Sequence, residues 1–296
     1  MIWVIADRRE EDGSFPTYKY YKKAFRHGEI DIYCAGQNDD FSFINHDDVV
    51  LMRTRDENIV SCVRERQKAV GFKSTIESDR VNFLTHDKKA VKELLYQRGF
   101  PCPKTIALED VVDGHKYFVK PRFGENSIGI DEKSLCTSRK QVEDKCKSLL
   151  DVGIEPMIEE YIEGFDVTTS VIRINEADEL RTDTIKGFPQ CSAGFQTYED
   201  KESYVYDPHK PFDAEAYDNQ LVNDVAKLVF MQIGARHYIR IDFRMKHNAP
   251  YILDVNMVPG LAPNGHMSKC LATHGVGYYD FIKMVVNSAS LLREKT

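Results

Sequence analysis

The alternation of apolar and polar segments in the first part of the chain predicts a small α/β unit. Short apolar runs predict strands at 2–6, 30–35 and 48–52, and helical stretches are predicted near 17–27 and 56–70. No GxGxxG motif follows the first strand, which argues against a dinucleotide-binding fold.

A helix with a distinct apolar stripe is predicted next. Thr85 suits its N-cap, Asp87 suits the positively polarised first turn, and Gly99 ends it. The residues expected on the inward stripe are Ala90, Val91, Leu94 and Leu95.

Strands and helices alternate again in the rest of the chain. The pattern predicts strands at 117–121, 155–162 and 166–174, and helices at about 138–150 and 213–233. In the last of these helices, which Gly234 ends, the residues expected to face inward are Leu221, Val225, Leu228 and Val229. Residues 188–212 are polar and aromatic without a period, which predicts a loop that is either functional or disordered.

Residues 239–256 are predicted to form two strands joined by a polar turn, with an aspartate inside each apolar run. A hairpin centred on Asn248 places Asp242 directly across from Asp254. On the first strand, one face carries Ile239, Ile241, Phe243 and Met245, and the other carries Arg240, Asp242 and Arg244. On the second strand, one face carries Tyr251, Leu253 and Val255, and the other carries Ile252, Asp254 and Asn256.

Two facing carboxylates suggest a cation between them. Cross-strand neighbours lie about 5 Å apart, and like charges at that distance destabilise a sheet unless something positive lies between them. A divalent cation is the natural candidate. The alternative is an ordinary edge hairpin whose acids face solvent.

Composition narrows the class of protein. The 296 residues are 42% hydrophobic and 29% charged with a net charge of −7, which is typical of a soluble globular protein and argues against a general nucleic-acid binder. No basic leader and no membrane-length apolar segment is present, so we expect a cytoplasmic protein without a membrane partner. The seven cysteines have no CxxC or zinc spacing, which predicts free thiols.

The segment VKPRFGENSIGI at 119–130 is a candidate anion site. Lys120 ends an apolar strand, and Gly124 and Gly129 bracket a polar loop whose N–H groups could approach an anion closely. The alternative is a plain glycine turn with a surface lysine, since the GK[ST] ending of a Walker loop is missing.

The ordered motifs together resemble the ATP-grasp superfamily, and within it the D-alanine:D-alanine ligases. They are DK at 87 and 88, VKP with its glycine loop, IEEYIEGFD, an aromatic loop with a lysine, RID, and DVNMVPGL. The resemblance covers about 80–290. It implies an α/β (α+β) chain with an N-terminal subdomain at 1–80, a central lid subdomain at 81–163 and a C-terminal subdomain at 164–296 that holds a metal, with ATP between the last two.

The resemblance implies four phosphate-binding residues. Lys88 and Lys120 match the two lysines that hold the ATP phosphates, and Ser127 lies in the loop that closes over them. Lys201 matches a mobile-loop lysine that reaches the γ-phosphate.

The adenosine would be bound by a second group of residues. Glu159 matches the acid near the adenine amino group, and the backbones of Glu160 and Ile162 match the contacts to the adenine edge. Asp166 matches the acid that binds the ribose hydroxyls.

The metal and transfer groups follow from the same resemblance. Asp242, Asp254 and Asn256 match the magnesium ligands, with Mn²⁺ as a possible substitute. Arg240 matches the arginine that steadies the transferring phosphoryl group, and Gly260 matches a backbone N–H donor there.

The chain departs from the D-alanine pattern at several positions. The second metal acid is Asp254 rather than Glu, Asn126 stands where Ser is usual, and Gly265 stands near the serine that clamps the second substrate. The acid-bearing glycine-rich segment of those enzymes is not recognisable in 1–20. The ATP half is therefore better supported than a D-alanine site.

The activity implied is ADP-forming, ATP-dependent ligation of a small-molecule carboxylate to an amine through an acyl phosphate, with an amino acid or peptide as substrate. Residues 1–80 and 260–275 would shape the acceptor pocket, with His266 and Lys269 as candidates, and a homodimer is a further expectation. Residues 66–88 are also similar to ligases that act on peptide or protein ends, which leaves such an acceptor open. Three further alternatives are a small-molecule kinase, a non-catalytic nucleotide-binding module and a structural protein with surface ion pairs.

Overall fold

A computed structural model describes residues 1–7, 18–36, 39–124, 127–187, 195, 197–199 and 214–291. The predictions for Lys201 and Asn126, and most of the loop at 188–212, lie outside these residues. The described part contains three sheets with helices packed on them, which confirms the mixed α/β class.

The first sheet is parallel and has the strand order β2-β1-β3-β4. Its elements are β1 (Ile2–Asp7), α1 (Tyr18–Lys22), β2 (Ile30–Ala35), β3 (Val49–Met52), α2 (Glu57–Val70) and β4 (Lys73–Ser74). The three predicted strands are present, whereas the helix predicted at 17–27 covers only 18–22. Helix α2 begins where the Asp56 carboxylate accepts hydrogen bonds from the N–H groups of Asn58 and Ile59.

The helix predicted between Thr85 and Gly99 is α4 (Lys88–Gln97), and a separate helix that was not predicted, α3 (Asp79–His86), precedes it. Thr85 is wrong as an N-cap, because it lies inside α3 and its hydroxyl donates to the Val81 carbonyl at 2.8 Å. Asp87 caps α4 instead, accepting from the N–H groups of Lys89 and Ala90. The predicted end is confirmed by Gly99, which adopts φ 83°.

The second sheet is antiparallel with the order β6-β5-β7. It consists of β5 (Tyr117–Pro121), β6 (Leu135–Cys136) and β7 (Pro156–Glu160), and helix α5 (Arg139–Leu150) packs on it. Ser138 caps α5 by accepting from the Gln141 N–H, so the helix begins where the sequence predicts. Val119, Val142 and Leu149 belong to its small core.

The third sheet is antiparallel with the order β10-β9-β8-β11-β12. Its elements are β8 (Phe165–Arg173), β9 (Leu180–Lys186), β10 (Glu215–Ala216), α6 (Gln220–Ile233), β11 (Tyr238–Lys246) and β12 (Ala249–Asn256). Helix α6 begins seven residues after the predicted start at 213, because the Asn219 side chain caps it by accepting from the Val222 N–H.

The predicted inward face of α6 is wrong at two positions. Leu221 and Leu228 are 51% and 44% exposed, and the buried residues are Val222, Ala226, Val229, Phe230 and Ile233. The helix is apolar around much of its circumference, so two stripes fit the helical period and packing against the sheet selects between them.

The last two helices return to the first sheet. Helices α7 (His266–Thr273) and α8 (Tyr278–Ser288) share a core with that sheet, in which Phe281 and Val285 pack with Val4 and Leu51. None of the helices in the described ranges is long and apolar enough to cross a membrane.

Candidate active site

The β11–β12 hairpin aligns the acids as predicted. Its turn is His247–Asn248, where both residues adopt positive φ (48° and 64°), as a two-residue hairpin loop requires. A bulge next to Asp242 adds one residue to β12, so that Asp242 faces Asp254 and Arg240 faces Asn256. The extra residue is Leu253, because Phe243 pairs with Ile252.

The same bulge makes part of the predicted face assignment wrong. Ile252 was expected to share a face with Asp254, but it is fully buried in the core. Leu253, expected on the opposite face with Val255, borders the cleft instead. The bulge reverses the alternation of side chains between Ile252 and Asp254, which an unbroken period of two could not anticipate.

Each of the three predicted metal ligands lies beside a cation of the chain. Asp242 accepts from the Thr168 hydroxyl at 2.8 Å and from Arg240 Nε and Nη2 at 3.1 and 2.8 Å. Asn256 Oδ1 accepts from Arg55 Nη2 at 3.1 Å and from the Val258 N–H at 2.9 Å.

Asp254 stays ionised in the same surroundings. Burial alone would raise the pKa of Asp254, but the charges of Lys88 and Lys120 outweigh burial and hold that pKa below its usual range. The site therefore presents hard oxygen donors, two carboxylates and one amide, which suit Mg²⁺ or Mn²⁺. No group of three or more His, Cys, Asp or Glu side chains that could hold a metal occurs among the described residues, so the predicted set depends on the amide of Asn256.

Lys120 lies in a buried cluster of three charges. Glu159 forms ion pairs with Lys120, at 2.9 Å, and with Lys92. Lys120 Nζ also donates to the carbonyl of the bulge residue Leu253 at 3.1 Å. The bulge thus provides a backbone acceptor that connects β5 to the β11–β12 hairpin.

The charges in this cluster depend on one another. Burial would raise the pKa of Glu159, but Lys120 and Lys92 outweigh it and lower that pKa. Burial lowers the pKa of Lys92, which Glu159 only partly offsets. Burial would lower the pKa of Lys120 as well, but the charges of Glu159 and Asp254 outweigh burial and raise that pKa. Lys120 is therefore a fixed cation in the part of the cleft where the phosphates were predicted to bind.

Lys88 is held against the glycine loop. The Lys88 ammonium group donates to the Gly124 carbonyl, and the backbone N–H of Lys88 donates to the Arg122 carbonyl at 3.1 Å. Arg122 in turn binds Asp87, the α4 cap, with two hydrogen bonds of 2.9 and 2.6 Å. In the same loop, Ser127 adopts φ 59°.

The residues predicted to bind the adenosine lie around Arg244. Arg244 pairs with Asp166 and donates to the Tyr161 hydroxyl at 2.9 Å and to the Ile162 carbonyl at 3.2 Å. Burial raises the pKa of Asp166, and Arg244 offsets this only in part. Gly164 permits the close approach of this segment to β11, because a Cβ there would lie 2.0 Å from the Met245 carbonyl oxygen.

One cleft collects most of the predicted residues. Those that border it are Lys88, Lys120, Ser127, Glu159, Glu160, Ile162, Asp166, Arg240, Asp242, Asp254 and Asn256. Gly260 is exposed and does not border it. Of the acceptor candidates, the buried His266 borders the cleft and Lys269 does not.

Several residues at the site were missed by sequence reasoning. Lys92 lies on the buried side of α4 beside Val91, but a lysine in a helix is normally solvated, so its position gave no signal of burial. Arg55 closely follows β3, at the carboxyl edge where parallel sheets bind ligands. Phe195, buried and packed edge-on against Phe118 at 4.9 Å, had no signal beyond its aromatic loop.

The fold and the cleft define an ATP-grasp protein, and solved structures share this architecture. The D-alanine–D-alanine ligase of Bacillus anthracis complexed with ATP has a TM-score of 0.71 and 18% identity, covering 98% of this chain and 97% of that one. The VanG D-Ala:D-Ser ligase of Enterococcus faecalis also has a TM-score of 0.71, with 14% identity and coverage of 97% and 98%.

Sequence comparison gives the family. The family described as "D-ala D-ala ligase C-terminus" matches residues 97–287, more than half of the chain, and the chain belongs to it. D-alanine–D-alanine ligase of Francisella tularensis subsp. novicida is 28% identical over 225 residues, covering 74% of this chain and 72% of the relative. D-alanine–D-alanine ligase A of Bacillus cereus is 22% identical over 218 residues, covering 71% and 69%. The predicted resemblance is confirmed, and the predicted class of ADP-forming carboxylate–amine ligase agrees with it.

Proposed function

We propose that this protein is an ATP-dependent ligase that joins a small carboxylic acid to an amine and releases ADP and phosphate. The observation that carries the proposal is the single cleft in which Lys88 and Lys120 lie beside the facing pair Asp242 and Asp254. A polyanion and a carboxylate can meet there only if positive charge offsets their repulsion. The cleft supplies that charge from its lysines and Arg240.

The nucleotide would lie along the cleft from Arg244 to Lys88. The Glu160 N–H already donates to the Lys104 carbonyl, and the Ile162 carbonyl already accepts from Arg244. The Glu160 carbonyl and the Ile162 N–H are therefore the backbone groups that we assign to the adenine edge. Asp166 would receive the ribose hydroxyls while Arg244 holds its carboxylate in place.

Asp242, Asp254 and Asn256 would hold Mg²⁺ or Mn²⁺. A divalent ion bound there would neutralise phosphate charge and orient the phosphate groups. Arg240, now paired with Asp242, lies where its guanidinium could also face an anionic oxygen.

The reaction proceeds in two displacements. A carboxylate oxygen forms a bond to the γ-phosphorus as the bridging bond to ADP breaks, and the amine nitrogen then forms the amide bond as phosphate leaves with its electron pair. The proton of the amine passes to solvent or to a base. The chain contributes alignment and charge stabilisation, because phosphorylation has already made the leaving group. Phe195 and the N–H of Tyr198, which donates to the Ile130 carbonyl at 3.1 Å, bring parts of the aromatic loop to the cleft, where they help to exclude water.

The proposed substrates are amino acids or peptides. A Cβ at Gly265 would lie 3.1 Å from the carbonyl oxygens of Ala262 and Gly260, so this backbone has little room for the serine expected in a D-alanine site. We place the enzyme in the cytoplasm as a small-molecule ligase and leave D-alanine to experiment.

Incubation with Mg-ATP and a panel of D- and L-amino acids and dipeptides tests the proposal. We expect ADP and phosphate in equal amounts with a new amide product by mass spectrometry, and a loss of about a hundredfold or more in rate for Asp242→Asn. AMP formation, or a stable phosphorylated product without an amide, would overturn the assignment. No ADP with any acceptor would do the same.

A further inference from the structure

The amide oxygen of Asn256 is already fully used in this structure. Asn256 Oδ1 accepts from the Val258 N–H at 2.9 Å and from Arg55 Nη2 at 3.1 Å. A carboxamide oxygen has two lone pairs, and the amide nitrogen of the same side chain cannot ligate a cation. The residue proposed as a metal ligand therefore has no vacant acceptor site while both bonds are present.

The two bonds differ in origin. The Val258 bond is local, because it joins residues two apart at the end of β12, and it can persist beside a metal. Arg55 is 201 residues away in sequence and brings a positive charge from the loop after β3. A guanidinium and a divalent cation repel each other, so they cannot share one oxygen.

The surroundings place Arg55 at the metal end of the cleft. Arg55 borders a small recess with Lys88, Asp254 and Asn256, three residues that also border the main cleft. Its second terminal nitrogen, Nη1, donates to the Thr85 hydroxyl at 3.4 Å. Arg55 is thus a cation located where the predicted ion would bind.

We propose that Arg55 and the divalent metal exchange at Asn256 Oδ1, so that loading of the metal–nucleotide complex requires the release of Arg55. This rests on the proposed function, because the metal is the one assigned to Asp242, Asp254 and Asn256. Arg55 is then a positioning residue: it holds Asn256 in its ligating orientation before the ion arrives and competes with the ion for the same oxygen. Removing a competitor strengthens metal binding, whereas removing a merely structural contact does not.

Binding of Mn²⁺ to the full chain, measured by electron paramagnetic resonance with a saturating non-hydrolysable ATP analogue, tests the exchange. We expect Arg55→Met to bind Mn²⁺ about tenfold more tightly than the wild type, the effect of losing one competing hydrogen bond from a charged group. Arg55→Lys, which keeps the charge without the planar fork, should fall between the two. Circular dichroism melting shows that each variant is folded.

Arg53→Met is the matched control. Arg53 also makes a long-range contact, donating to the Pro259 carbonyl at 2.7 Å and to the Tyr238 hydroxyl at 3.2 Å, but has no bond to Asn256. We expect this variant to show unchanged or weaker Mn²⁺ affinity. Equal or weaker affinity in folded Arg55→Met and Arg55→Lys would overturn the exchange alone. No Mn²⁺ binding by the wild type, or full binding by Asn256→Ala, would overturn the metal site and the exchange with it.

Discussion

Lys92, Glu159 and Lys120 form the most deeply buried charge cluster of the site. Lys92 is 3% exposed and Glu159 is 2% exposed, so their charges are compensated by each other rather than by water. Breaking a buried ion pair from one side is costly because the remaining charge has no compensation. The order of stability losses among single substitutions should therefore follow the charge that each one leaves behind.

We expect Glu159→Gln to lose about 3–5 kcal/mol of unfolding free energy, because it leaves two buried lysines facing each other. Lys92→Met leaves the Glu159–Lys120 pair intact and should lose clearly less. Urea denaturation at pH 7 measures both, with Lys89→Met as a control from the exposed face of α4, expected within about 0.5 kcal/mol of the wild type. The reverse order would mean that Glu159 does not compensate both lysines.

The sequence predicted the surroundings of some site residues and not of others. Asp242, Asp254 and Lys120 could be placed because each interrupts or ends an apolar strand, which is a local signal. Lys92 could not, because a lysine in a helix is normally solvated and only the distant Glu159 makes its burial favourable. Thr85 failed as a cap because Asp87, two residues later, competes for the same role.

At the scale of elements, the β12 bulge explains why the predicted pairing of Asp242 with Asp254 is correct although the predicted turn is not. The predicted centre at Asn248 gave the observed Asp242–Asp254 pairing, but the turn is the pair His247–Asn248 and the inserted Leu253 restores the register. The bulge is hidden in the hydrophobic pattern here, because Ile252 and the inserted Leu253 are both apolar. The side of α6 that faces the core could not be predicted for a similar reason. The helix carries two apolar stripes, and only packing against the neighbouring sheet selects one of them.

The bulge itself can be tested by deleting Leu253. Deletion should restore regular alternation and keep Asp242 opposite Asp254, while removing the carbonyl that accepts from Lys120 at 3.1 Å. We expect a folded protein whose affinity for a non-hydrolysable ATP analogue falls about tenfold, the effect of losing one hydrogen bond to a charged group. Isothermal titration calorimetry measures the affinity.

Leu253→Ala is the comparison, because it keeps the backbone carbonyl and the bulge. It should bind the analogue within about threefold of the wild type, since only a partly exposed side chain is shortened. Equal weakening by the deletion and by Leu253→Ala would show that the side chain, not the carbonyl, matters at this position.

At the scale of the whole molecule, the order of motifs identified the fold, while the packing of the ends of the chain could not be read from the sequence. Helix α8 packs on the first sheet in a core that joins residues near both ends of the described chain, such as Val4 and Phe281. Such contacts depend on how sheets are arranged in space, and no local pattern encodes them. Glu77, which connects the segment after β4 to the start of β11, is another long-range feature that the sequence did not reveal.

Glu77 is a buried acid at the junction of the first and third sheets. Its Oε1 accepts from the N–H groups of Arg236 and His237 at 2.8 and 3.1 Å, and Oε2 has no hydrogen-bond partner in the described structure. Burial raises the pKa of Glu77 to about 7 from the ordinary 4.5, although the two N–H groups and the charges of Arg236 and Arg173 oppose this. The folded protein therefore binds a proton that the unfolded chain has released between these two pH values.

The raised pKa of Glu77 determines the direction in which the stability of the folded protein changes with pH. For a group whose folded pKa is raised, stability falls as pH rises from about 4.5 to about 7 and is constant above, a loss of about 3 kcal/mol from Glu77. Glu77→Gln should remove this pH-dependent loss of stability. The unfolding free energy of the variant should therefore rise relative to that of the wild type from pH 5 to pH 8. His237 contributes the opposite slope, because burial lowers its pKa to about 4, but it is present in both proteins and cancels in the difference. Urea unfolding at pH 5, 6, 7 and 8 gives that difference directly. A difference that does not change with pH would mean that Glu77 is ionised in the folded protein, and that this junction of the sheets holds a charge instead of a proton.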